Sequence, residues 1–136
     1  MPMLHHFASA EWVNAVKEAI NTHDGYRESA KTWEGDFWFV IEPDQGSGDA
    51  PVLIYLDLWQ GTCRTATLAH NENEHTPEFR ISGTRKNWLK VLRREIDPIR
   101  ALMTNTLRLK GNMAKVMRNV RAAQDLVLAA ATVPTI

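Results

Sequence analysis

The amino-acid sequence predicts an α+β domain, a five-stranded, largely antiparallel sheet with helices on one face. An amphipathic helical stripe opens the chain, runs of alternating apolar residues fill its middle, and helical spacing returns from Trp88 onward, interrupted by one short last strand. With 136 residues and 44% hydrophobic content, the chain has the size of one domain with a real core. Residues 1–136 are therefore read as a single unit, with 1–8 and 131–136 as less ordered tails.

Ser9 is the expected N-cap of the first helix, with Glu11 in its first turn and Trp12, Val13, Val16, Ala19 and Ile20 on one stripe. Asp24-Gly25 interrupts it, and "YRESAKTW" reads as a second, short helical piece. The period then changes. "DFWFVIE" and "VLIYLDLW" are rich in aromatic and β-branched residues and flank the loop "PDQGSGDAP", so both are expected strands. In the second, Val52, Ile54, Leu56 and Leu58 alternate with Leu53, Tyr55, Asp57 and Trp59, giving one uniformly apolar face. Gln60-Gly61 turns the chain into "TCRTATLAH", the third member of an antiparallel meander. After the loop "NENEHTP", "EFRISG" is a strand with Phe79 and Ile81 on one face. A helix follows through Trp88, Leu89, Val91, Leu92 and Ile96. Asp97 caps a further helix with Pro98 in its first turn, and "TLRLK" is the fifth strand. Asn112 caps a long terminal helix that reaches about Ala130. The stretch "LRLKGNMAKVMRNV" thereby aligns Leu107, Leu109, Met113, Val116, Met117 and Val120 on one side.

The net charge is zero but unevenly distributed. Four basic residues face thirteen acidic ones before Arg80, and twelve face three from Arg80 onward. Because these charges are interleaved with regularly spaced apolar residues, they belong to structured elements that pack together and cancel. The basic residues lack an aromatic stacking motif and the acidic half repels phosphate, so nucleic acid is not an expected partner. No secretory leader pattern and no membrane-length apolar run occurs, and Cys63 is the single cysteine; a cytoplasmic protein without disulfides is expected.

Residues that could carry chemistry are scattered. His5 and His6 are adjacent on an extended terminus and point apart, and His70 and His75 flank an acidic loop without the helical register of a metal motif. Cys63 has no base fixed by local spacing and reads as a structural side chain, Asp57 lies on the polar strand face, and Gly46 and Gly48 only loosen a loop. No catalytic residue, metal site or cofactor is expected, and the protein is not read as an enzyme. Met103, Met113 and Met117 cluster around one strand, and methionine adapts to irregular space and variable guests.

The segment "FRISGTRKNWLKVLRREIDPIRALMTNTLRLKGNMAKVMRNVRAAQDLV" resembles the second half of the sterol carrier protein type 2 family in its small stand-alone microbial form. The matching features are Ser82-Gly83 ending a strand, Trp88 and Leu92 in the next helix, Asp97-Pro98, "ALM", and "LRLKGN" before an amphipathic helix. "YLDLWQGTCRTATL" resembles the family's central strands. Asn105 stands where many relatives carry glycine, a mild change because Asn tolerates the left-handed conformation. The chain ends Val-Pro-Thr-Ile rather than in the targeting tripeptide of peroxisomal members.

The resemblance implies a sheet covered by helices with an apolar tunnel between them for a fatty acid, acyl-CoA, sterol or phospholipid. Its lining is expected from Leu107, Leu109, Met113, Val116, Met117 and Val120, together with Phe39, Ile54, Leu56, Phe79, Ile81, Leu102 and Met103. Arg85, Lys86, Arg93 and Arg94 are the expected head-group rim at the tunnel mouth. The expected partner is a lipid or acyl-chain ligand, with a membrane or an enzyme as transient acceptor. The alternative is a ligand-free interaction or homodimerisation module, with Trp38, Tyr55 and Trp59 as its contact surface.

Overall fold

The computed structural model describes residues 4–136. Two helices, α1 (Ala10–Thr22) and α2 (Asp24–Ser29), precede β1 (Glu34–Glu42), β2 (Val52–Trp59), β3 (Thr62–Ala69) and β4 (Phe79–Thr84). Then follow α3 (Arg85–Leu92), α4 (Pro98–Met103), β5 (Arg108–Lys110), α5 (Met113–Met117) and α6 (Val120–Ala131). The expected caps form. Ser9 Oγ accepts from Trp12 N at 3.2 Å, Asp97 Oδ2 from Ile99 N and Arg100 N at 3.0 and 3.2 Å, and Asn112 Oδ1 from Lys115 N at 3.2 Å.

The five strands form one sheet in the order β3-β2-β1-β4-β5. The meander β1-β2-β3 is antiparallel, as is β4-β5, whereas β1 and β4 run parallel. A parallel pair needs a crossover. Here the loop after β3 supplies it by crossing the sheet face opposite the helices: His75 stacks on Tyr55 with ring centroids 3.8 Å apart and meets Trp38 edge-on at 5.6 Å.

Register places apolar residues in rows across the helix-facing side. Ile54, Phe39, Ile81 and Leu109 are successive partners on β2, β1, β4 and β5, and Leu56, Phe37 and Phe79 form a second row. Gly83 lets the cover come close, since a Cβ there would lie 2.5 Å from Leu107 Cδ2. Gly111, at φ 137°, turns the chain against the Phe79 ring, and Asn105 adopts the left-handed conformation at φ 58°.

The terminal helix is not continuous. It divides at Arg118 and Asn119, where Asn119 leaves helical geometry at φ −127° and its Nδ2 donates back to Lys115 O at 2.8 Å. An Asn side chain that bonds a nearby carbonyl offers the backbone an alternative to the helical ladder, and apolar spacing alone does not reveal it. The described parts of the two tails meet, and positions 1–3 of the expected N-terminal tail lie outside the described residues. His5 N donates to Pro134 O and Ile136 N to His5 O, Phe7 and Val133 are buried, and Trp12 Nε1 donates to Thr135 Oγ1 at 2.9 Å. The two ends are thus stapled to each other across the core.

Candidate functional site

Between the sheet and the helical layer lies an apolar cavity of about 150 Å³. Its floor is Phe37, Phe39 and Ile41 of β1, Ile54, Leu56 and Leu58 of β2, and Ile81 of β4. Its cover draws on every helical region: Trp12, Val13, Val16 and Ile20 from α1, Tyr26 from α2, Trp88, Val91 and Leu92 from α3, Ile99 and Leu102 from α4, Val116 from α5, and Ala122, Ala123, Leu126, Val127 and Ala130 from α6. The small residues of α6 leave the space: its first turn presents Ala122 and Ala123 and its last Ala130, where larger side chains would fill the ends of the helix face on either side of Leu126 and Val127.

Of the residues expected to line a tunnel, Phe39, Ile54, Leu56, Ile81, Leu102, Leu107 and Val116 lie on the cavity wall. Phe79 does not reach it, being 1% exposed in an aromatic cluster with Trp33 and Phe37 at centroid distances of 5.5 and 5.1 Å. Leu109, Met113 and Val120 pack against the core from its edge. Met103 and Met117 are turned outward, 68% and 40% exposed. The physical reason is the same at both ends: Met103 is the last residue of α4, and Met117 ends the five-residue α5 just before the break, so the inward stripe does not extend through them.

The helix faces of α1 and α3 are legible as apolar stripes, but their residues are not among the expected lining. Nothing in spacing separates a cavity wall from a packed interior. The polar wall residues Tyr26 and Asn119 carried no such signal at all.

Of the four rim candidates, Arg85 meets a wall residue: its guanidinium lies 5.1 Å over the ring of Phe7, which itself lines the cavity. Lys86, Arg93 and Arg94 are exposed along and beyond α3. None of the four forms an ion pair among the described residues. Elsewhere the acidic and basic halves of the chain do pair, through Arg80 with Glu72, Arg108 with Glu42 and Lys115 with Glu78 at 2.7–2.9 Å.

The remaining chemistry-bearing residues have structural occupations. Cys63 is 1% exposed and burial pushes its thiol up to about 12. Asp57 accepts both Nε and Nη2 of Arg64 at 3.0 and 3.1 Å. Among the described residues, no three His, Cys, Asp or Glu side chains converge as a metal site. The aromatic surface considered for a partner is only partly open: Trp38 is 4% exposed beneath the crossover loop, whereas Trp59 is 37% exposed, with the Arg64 guanidinium 4.5 Å above its ring.

A hydrocarbon-walled space closed between a sheet and its helices has the form of a small-molecule pocket, concave and apolar. The chain is a member of the SCP-2 sterol transfer family, whose profile matches residues 13–124. A crystal structure of sterol carrier protein 2 is 34% identical, with a TM-score of 0.86 over 94% of this chain and 99% of that one. A conserved hypothetical protein from Thermus thermophilus, described as possibly a sterol carrier protein, is 33% identical with a TM-score of 0.84 over 100% of this chain and 94% of that one. The apo form of sterol carrier protein 2 from Yarrowia lipolytica shares the fold at 16% identity and a TM-score of 0.62, over 94% of this chain and 95% of that one. Among curated proteins, none matches the sequence significantly.

Proposed function

We propose that this protein binds and carries a hydrophobic ligand with an acyl chain, a fatty acid, an acyl-CoA or a similar lipid, without a covalent step. The observation that carries the reading is a cavity whose wall is almost entirely hydrocarbon, drawn from the sheet and from every helical region. Leaving such surface unfilled forfeits dispersion contacts, and each ligand methylene taken out of water contributes about 0.8 kcal/mol. The lining set proposed for the ligand is Phe39, Ile54, Leu56, Ile81, Leu102, Leu107 and Val116, with Arg85 at the mouth for a carboxylate or CoA group.

A cavity of about 150 Å³ takes a guest of roughly benzene size, so a long chain enters by displacing part of the cover. The break at Arg118 and Asn119 supplies a joint at which α6 can move without melting α5. Release to an acceptor, a membrane or an enzyme, would use the same opening. Native mass spectrometry of the purified protein before and after organic extraction tests the reading. A lipid mass that disappears on extraction and returns on incubation with fatty acid is expected. Failure to retain any acyl ligand, before extraction or after reloading, would contradict it.

A further inference from the structure

Tyr26 is 2% exposed and stands on the wall of the cavity, and its hydroxyl makes no hydrogen bond to any described residue. No polar side-chain atom sealed from solvent lacks a partner among the described residues, so this hydroxyl keeps some accessible surface. The other side-chain donors of the wall are occupied. The indole N–H groups of Trp12, Trp33 and Trp88 donate to Thr135 Oγ1, Gly35 O and Val40 O at 2.9, 3.1 and 2.9 Å. Asn119 uses its Nδ2 on Lys115 O, and its Oδ1 has no partner among the described residues.

A tyrosine in this position would be replaced by phenylalanine at no loss if only packing mattered. Burying a phenol costs free energy unless it finds a partner, and a pure hydrocarbon guest offers none. We infer that Tyr26 is a specificity-determining residue, donating its hydroxyl proton to a neutral oxygen carried by the ligand, a hydroxyl or carbonyl set along or at the end of the chain. Burial holds the phenol protonated through the physiological range, so it remains a donor. The α2 helix fixes its backbone, with Tyr26 N donating to His23 Nδ1 at 3.0 Å.

The inference rests on the carrier reading, and one experiment separates the two. Delipidated wild type and Tyr26→Phe are titrated with fatty acids from octanoic to hexadecanoic and with the matching ω-hydroxy acids, followed by the fluorescence of the wall tryptophans Trp12, Trp33 and Trp88. The quantity read is the ratio of hydroxy-acid to parent affinity at each chain length. At the length that brings the hydroxyl to Tyr26, the wild-type ratio is expected to exceed that of Tyr26→Phe by about tenfold, the scale of one hydrogen bond in a dry site. If the parent acids bind and the ratio is the same in both proteins at every length, the subsite is wrong and the carrier reading stands. If neither series binds wild type, both fall. Thermal unfolding of Tyr26→Phe, which keeps the ring, confirms that the fold is intact when the ratio is read.

Discussion

Cys63 shows how burial sets chemistry at a single residue. Its sulfur lies 3.4 Å from Thr65 O, and its backbone N–H and C=O are both held by the Asn21 side chain at 2.7 and 3.0 Å. Desolvation moves the thiol from 9.0 to about 12, so it stays protonated and unreactive at neutral pH. The unfolded chain releases this proton near pH 9 while the folded chain retains it, so stability is full below pH 9 and declines as pH rises toward 12. Tyr26, raised from 10.0 by burial, adds to the decline from its own ordinary value upward. Thermal melts from neutral to strongly alkaline pH should show the melting temperature falling from about pH 9. In Cys63→Ala the fall should begin about one pH unit later, when only the phenols of Tyr26 and Tyr55 remain. Parallel curves for the two proteins would show that Cys63 does not titrate as its burial requires. The residue scale is also where sequence reading was weakest. Spacing identified Val116 as inward, but it could not show that Met117 ends its helix facing out, nor that Tyr26 keeps an unspent hydroxyl.

Among the elements, α3 connects the charge pattern to the cavity. Thr84 caps it through Asn87 N at 3.1 Å, Trp88, Val91 and Leu92 face inward, and Arg85 lies one turn before Trp88 on the same side. This spacing was legible, and so were the strand alternations, because a one-residue slip would expose a whole apolar row. The α5–α6 division was not legible, because an apolar stripe running through Val116 and Val120 fits one helix as well as two. The position of Arg85 gives a test at this scale. Arg85→Glu should weaken binding of fatty acids and acyl-CoA by several-fold at low salt, with the difference shrinking as salt is added, and should leave a neutral fatty alcohol little changed. Equal losses for charged and neutral ligands would remove Arg85 from the rim and point to damaged packing around Phe7.

At the scale of the whole molecule the two oppositely charged parts of the chain share one sheet, β1, β2 and β3 coming from the acidic part and β5 with nearly all of β4 from the basic part. Ion pairs between Glu42, Glu72 and Glu78 on one side and Arg108, Arg80 and Lys115 on the other cross the division. Fold class and family were legible because hydrophobic period and turn residues specify layers. The cavity was reached through resemblance, since volume depends on how layers settle and on small residues such as Ala122 and Ala123, which look like ordinary helix formers.

Val116→Phe tests most directly whether this interior is a container. Val116 is 6% exposed and lines the cavity, whose volume of about 150 Å³ accepts an aromatic ring. The measurement pairs thermal unfolding with fatty-acid titration on delipidated wild type and variant, because retained ligand would stabilise only the protein that binds it. The account predicts that ligand-free stability holds or rises as the ring fills vacant space, while acyl affinity falls. A solid core predicts the opposite sign for stability, a loss of about 1–3 kcal/mol from overpacking. A destabilised variant with unchanged affinity would contradict the carrier account.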